Sequence, residues 1–197
     1  MPFLKEKYKI LMVDDKEEDF LLVKNYINDL PFQYEIEWIS DFENGLEAIK
    51  TDVHDLYLID HKLGPSNGIE LIREACENGC KKPIILLTGL DNREVDIEAL
   101  KAGATDYFLK SKLNVDDIEK LLRHSIQRYE YNLNYERQLT VFRNYFNQSF
   151  APLFIVDDTF KLIQINDAFL KQYFEPKKDA CIKQIFKEES DYLNLKE

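Results

Sequence analysis

The sequence predicts a doubly wound α/β domain with a five-stranded parallel sheet, followed by a long helix and a small α+β segment. Three observations predict it. Five short apolar runs alternate with amphipathic segments across the first 113 residues. Runs such as IILL carry no polar alternation, which suits strands covered on both faces. After Val115 the alternation gives way to some thirty residues without glycine or proline.

The strand candidates are YKILMV (8–13), YEIEWIS (34–40), DLYLID (55–60), PIILLT (83–88) and TDYFLK (105–110). Helical patterns lie between them at about 16–30, 42–50, 67–78 and 92–102. Asp41 precedes FENGLEAIK and Ser66–Asn67 precedes GIELIREAC, both as expected of helix caps. Gly103 follows Ala102 as a helix stop.

The long stretch repeats Ile118, Leu122, Ile126, Tyr129, Leu133, Leu139, Phe142 and Phe146 at spacings of mostly three and four. It predicts one long amphipathic helix, or two joined end to end. The first turns can pack on the sheet, and the remaining stripe needs a partner, for which a parallel homodimeric coiled coil is the simplest supply. The alternative is antiparallel packing against the chain's own C-terminal piece. From Ala151, LFIV and KLIQI flank a DDT turn and predict a hairpin, with Asn166–Asp167 capping a helix over AFLKQYF. Short helices and a polar end are expected from Glu175 onward. The expected boundaries are 1–124 for the sheet domain, 115–147 for the helix and 148–197 for the final segment.

Net charge is −11, from 26 basic and 37 acidic residues, which argues against a binder that relies on general phosphate attraction to nucleic acid. No window approaches the roughly 20 apolar residues of a membrane span, and the first residues lack a signal peptide's apolar core. Cys76, Cys80 and Cys181 form no framework spacing. Cys76 and Cys80, four apart in a predicted helix, read as small apolar residues. The expectation is a soluble cytoplasmic protein.

Functional groups gather at the carboxyl ends of strands in such a sheet. Those ends supply Asp14 and Asp15 after ILMV, Asp60 after LYLI, Thr88 after IILL and Lys110 after YFL. Three clustered carboxylates disfavour one another's ionisation and call for a cation. All-oxygen ligands suit Mg²⁺. Lys110 adds a fixed positive charge for an anionic ligand, Thr88 a hydroxyl, and Gly89 leaves room for a group to approach. An aspartate, a divalent ion, a lysine and a hydroxyl describe a site that accepts a phosphoryl group.

These residues resemble the response-regulator receiver domain of phosphorelay signalling, over residues 8 to about 124. ILMVDD is similar to the family's first strand with its acidic pair. LIDHKLGPSNGIEL is similar to the phosphoacceptor segment, with Gly68 eight positions after Asp60; LLTG and GATDYFLKS complete the pattern. The resemblance implies a flavodoxin-like sheet of strand order 2-1-3-4-5, and Asp60 as phosphoacceptor. It implies Thr88 as the switch hydroxyl, Tyr107 as the switch aromatic and Lys110 as the site lysine. The implied Mg²⁺ shell is Asp15 and Asp60, with Asp14 near it, and the backbone carbonyl of Lys62. The implied donor is a histidine kinase or phosphotransfer protein, so the chain is expected to accept a phosphoryl group rather than act as an enzyme.

Gly64 stands where the family often has proline, with Pro65 after it, and Ser111 replaces the frequent proline after the lysine. Lys62 and Leu90 flank the expected path of a hydrolytic water, and Leu90 is expected to shield the acyl phosphate. Residues from about 140 to 197 resemble the first half of a PAS sensor domain, with Asn166 after its second strand. A complete PAS fold needs about twice these residues, so the expectation is a truncated stretch or a sheet completed by another chain. The rival readings are a Mg²⁺-dependent aspartyl phosphatase, against which Lys62 replaces the usual second aspartate, and a receiver-like interaction module that is not phosphorylated. His124 as a phosphotransfer histidine lacks the expected neighbouring sequence. His54, His61 and His124 are expected at the surface.

Overall fold

A computed structural model describes residues 7–31, 34–89 and 92–173. The chain divides into two compact units, Met1–Asn132 and Leu133–Glu197.

In the first unit the five apolar runs form β1 (Tyr8–Val13), β2 (Tyr34–Ile39), β3 (Leu56–Asp60), β4 (Ile84–Thr88) and β5 (Asp106–Leu109). All pair in parallel, in the order β2-β1-β3-β4-β5. The intervening helices are α1 (Glu17–Asn28), α2 (Phe42–Lys50), α3 (Gly68–Glu77) and α4 (Arg93–Ala102). Asp41 caps α2 by accepting from the Asn44 amide, and Asn67 caps α3 by accepting from Ile69. α4 ends at Gly103 in the left-handed conformation, with φ of 113°.

The sheet separates two apolar layers, because successive side chains of a strand point to opposite faces. Leu11, Val13, Tyr57, Ile59, Ile84 and Leu86 face α2, α3 and α4. Ile10, Met12, Leu56, Leu58, Ile85 and Leu87 face α1 and the start of α5 (Val115–Gln148), which contributes Ile118, Leu122 and Ile126. Every residue of β3 and β4 is buried, as the unbroken apolar runs require.

Two expectations are corrected here. His54 is not at the surface but 3% exposed. Its Nε2 meets Glu37 Oε2 at 3.1 Å, and its ring lies edge-on to Tyr57. It sits just ahead of β3, where the sheet and its covering layer enclose it; His61 is half-buried and His124 exposed. Cys80 does not share α3 with Cys76, since the helix ends at Glu77 and Gly79 turns the chain at a φ of 93°. Both thiols are half-buried, and burial pushes the pKa of Cys80 up to about 11. Cys181 and Leu90 lie outside the described residues, as do the short helices expected after Tyr173.

In the second unit the hairpin forms as expected. β6 (Phe154–Val156) pairs antiparallel with β7 (Leu162–Ile165), and α6 (Asp167–Tyr173) follows. Asn166 is its buried hinge. Its Oδ1 accepts from the amides of Leu153 and Phe169, both at 2.9 Å, while Nδ2 donates to the carbonyls of Phe146 and Ala151 at 3.0 and 2.9 Å. Phe146 of α5 is buried, as is Phe169, whose ring lies against Phe154 and Tyr173. Of the predicted stripe, Leu139 and Phe142 remain exposed. No described helix is long and apolar enough to cross a membrane.

Candidate functional site

Strand alternation explains which side chains meet at the carboxyl edge. Asp14 lies two residues after Met12, Asp60 two after Leu58 and Lys110 two after Phe108, and all three reference residues belong to the layer under α1 and α5. Thr88 follows Ile84 and Leu86 in register and belongs to the opposite layer, toward α4. The carboxylates and the lysine therefore converge, while Thr88 lines a cavity on the α4 side.

Lys110 is the centre of the convergence. Its Nζ lies 2.7 Å from Asp14 Oδ2, 2.5 Å from Asp60 Oδ1 and 2.6 Å from Asp19 Oδ2. Burial works against the ammonium, but hydrogen bonds to these three carboxylates outweigh it and hold the Lys110 pKa above the ordinary lysine value. The free oxygens are satisfied locally: Asp14 Oδ1 accepts from the Lys16 amide and Asp60 Oδ2 from the Lys62 amide, each at 2.9 Å. The indole of Trp38 donates to the backbone carbonyl of Asp14 at 2.8 Å.

Asp14, Asp15 and Asp60 bring ligand oxygens within 4.8 Å of one another, an arrangement that could hold a metal ion. The donor set passes a test of fit. Asp14 is wholly buried, and desolvation pushes its pKa up to about 6 although Lys110 and the Lys16 amide oppose this. Three clustered carboxylates facing one ammonium carry more negative charge than Lys110 offsets, and a divalent cation with oxygen preference matches them. Lys16, Asp19, Asp60, His61, Lys62, Gly89 and Lys110 line an adjoining cleft of ≈ 230 Å³.

Two glycines fix the loop around Asp60. A Cβ on Gly68 would stand 1.9 Å from the carbonyl oxygen of Asp60, so only glycine lets α3 begin this close to the strand end. Gly64 has φ of 60° and donates its amide to Asp15 Oδ2 at 3.0 Å. Proline could supply neither the dihedral nor the N–H, which accounts for Gly64 in place of the family's frequent proline. Between them, Lys62–Leu63 and Ser66–Asn67 form a two-residue antiparallel ladder. After Lys110, the chain passes Ser111 without a cis peptide bond.

Thr88 is buried and lines a second cavity of ≈ 360 Å³ with Asp96, Asp106, Tyr107, Phe108, Leu109 and Lys112. Tyr107 is 38% exposed. The charge of Asp96 raises its pKa, with a hydrogen bond between the two side chains. The structure thus brings together Asp14, Asp15, Asp60 and Lys110, with Lys62 beside them. It keeps Thr88 and Tyr107 on the α4 side.

Asp19 was not legible as a site residue. It reads as one of three acids in the first turn of α1, Glu17, Glu18 and Asp19, where acidic residues favour the helix dipole. Its one available signal is a place one helical turn beyond Asp15, on the helix that covers the Asp14 side of the sheet.

The family model for the response regulator receiver domain matches residues 10–123. The chain is 32% identical over 121 residues to the two-component response regulator PhoP of Pseudomonas aeruginosa, covering 61% of this chain and 52% of that protein. It is 30% identical over 105 residues to the transcriptional regulatory protein QseB of Escherichia coli O157:H7, covering 52% and 46%. The chain spans about half the length of these curated relatives. Among solved structures, a CheY-like response regulator receiver domain protein from Methanospirillum hungatei aligns with a TM-score of 0.57 at 27% identity, over 64% of this chain and 98% of that one. The BeF3-activated N-terminal receiver domain of RstA from Klebsiella pneumoniae aligns with a TM-score of 0.54 at 29% identity, over 60% and 97%. With the parallel sheet, the acidic cluster and the lysine in the family's order, the chain belongs to the response regulator receiver domain family.

Proposed function

We propose that the chain is the phosphoacceptor module of a cytoplasmic two-component or phosphorelay protein, and that Asp60 takes the phosphoryl group from a phosphohistidine of a histidine kinase or phosphotransfer protein. The observation that carries this reading is the Lys110 ammonium 2.5 Å from Asp60 Oδ1 at the edge of an open cleft. A carboxylate oxygen of Asp60 attacks phosphorus in line. The new P–O bond forms as the P–N bond breaks, and the electron pair returns to the imidazole nitrogen, which takes a proton from solvent. Lys110 then faces a phosphoryl oxygen and offsets its charge. Asp15, Asp60 and the backbone carbonyl of Lys62, with Asp14 beside them, would hold Mg²⁺, which when bound would supply electrostatic stabilisation of the transferring oxygens.

The modified Asp60 draws the Thr88 hydroxyl toward it, and Tyr107 exchanges its exposed position for the space beside Thr88. This repacks the face made by α4, β5 and the start of α5, a shift between two packed arrangements biased by a local charge. The domain limits that go with this reading are 1–124, 115–147 and 148–197. The β6–β7–α6 order and the Asn166 hinge support a PAS-like module as the recipient of the signal. Exposed Tyr135, Leu139, Phe142 and Tyr145 on α5 support a homodimer through that helix.

Incubation with a radiolabelled phosphohistidine kinase tests the reading. Label passes to the wild-type chain and not to Asp60→Asn; equal labelling of both removes the assignment. Light scattering tests the dimer, with Phe142→Glu expected to give the monomer mass.

A further inference from the structure

Lys110 has three N–H donors, and this structure commits all of them: one each to Asp14, Asp19 and Asp60. The three acceptors are not equivalent. Asp14 is wholly buried and also holds the Lys16 amide, so taking away its ammonium would strand a charge in the interior. Asp60 is the group that would carry the phosphoryl, and Lys110 passes naturally from its oxygen to a phosphoryl oxygen. Asp19 differs from both. Its side chain is 32% exposed, it stands in the first turn of α1, and it lines the same cleft as Asp60, Lys16 and Lys62. It can turn to water at little cost. Its charge also stands on the approach to Asp60, since one ammonium bridges the two carboxylates.

We infer that Asp19 is a positioning residue that competes with the phosphoryl group for Lys110, and that its charge limits how tightly the site takes up that group. The inference rests on the phosphoacceptor reading of Asp60. A phosphoryl group on Asp60 places additional negative charge beside Asp19, and like charges at this separation in a partly buried site repel. Removing the Asp19 charge turns a charge-assisted bond into a weaker neutral one, loosens the hold on one Lys110 donor and relieves that repulsion. The same change removes an attraction for a cation, so its effects on a phosphoryl mimic and on Mg²⁺ are expected to run in opposite directions. A merely structural role would weaken both together.

Trp38 provides the readout, being the single tryptophan of the chain and hydrogen-bonded to the Asp14 carbonyl. Fluorescence and calorimetric titrations would follow Mg²⁺ first, then beryllofluoride in saturating Mg²⁺, for wild type, Asp19→Asn and Glu18→Gln. Asp19→Asn keeps the side-chain shape. Glu18→Gln removes the same charge from an exposed neighbour that is not a Lys110 partner. Asp19→Asn is expected to bind beryllofluoride roughly tenfold more tightly, as the gain of one charge-assisted hydrogen bond allows, while binding Mg²⁺ no more tightly than wild type. Glu18→Gln is expected to stay within about twofold of wild type, as exposed charges do. Unchanged or weaker beryllofluoride binding in Asp19→Asn, or an equal gain in Glu18→Gln, overturns the inference. Absence of any beryllofluoride response in wild type overturns the phosphoacceptor reading itself, and the role of Asp19 with it.

Discussion

The two units use their apolar residues in opposite ways. In Met1–Asn132 every large side chain of β3 and β4 is buried, and both layers of the sheet are filled. In the described part of Leu133–Glu197, Tyr145, Phe150, Phe154, Phe160 and Ile163 are exposed, and burial centres on Phe146, Asn166 and Phe169. The first unit is organised by area removed from water, which is non-directional and large. The second is organised by one polar side chain that ties α5, the hairpin and α6 together through directed hydrogen bonds. A filled core can hold several carboxylates and an ammonium at fixed positions, because packed interiors resist displacement. An exposed apolar surface suits a region whose partner arrives from outside.

The largest test of that contrast is a pair of core substitutions. Leu58→Ala, at the centre of β3, is expected to cost about 2–5 kcal/mol in urea unfolding, whereas Ile163→Ala, 62% exposed, should stay within about 0.5 kcal/mol. A comparable cost at Ile163 would mean that the hairpin face is covered in solution. Gly68→Ala comes next, at about 2–3 kcal/mol, because its Cβ collides with the Asp60 carbonyl. It should also weaken beryllofluoride binding, which separates it from a remote core lesion.

Asn166→Ala is expected to cost about 2 kcal/mol by leaving the Phe169 amide and the Phe146 carbonyl without this partner. Hydrogen exchange should localise that loss to the second unit and leave β3 protected. The gain from Mg²⁺ is smaller than these losses. At ten times its dissociation constant it should add about 1.4 kcal/mol to the first unit, and Asp15→Asn should reduce that gain. Equal protection of both units by Mg²⁺ would break the comparison.

Legibility in the sequence follows the same division. The strands at 8–13, 55–60 and 83–88 are readable because burial on both faces demands unbroken apolar runs. Asp14, Asp60 and Thr88 are readable because each ends such a run, and Lys110 because it closes the fifth apolar run. The burial of His54 has no periodic signal in the sequence, because a single histidine ahead of a strand is buried only by the layer that encloses it. Spacing alone places Cys80 on the helix of Cys76, whereas Gly79 turns the chain out of that helix before it.

The sequence by itself determined the sheet, its order of elements and the carboxylates at its edge, since alternation and strand ends are local properties of the chain. Only the tertiary structure decided that Asp19 shares Lys110 with Asp14 and Asp60, and that Thr88 lies on the opposite layer with Tyr107. It also decided that Gly64 donates its amide to Asp15. Those contacts join residues up to 96 positions apart. Their existence depends on how α1 and the loop after β3 settle on the sheet edge, which no local pattern specifies.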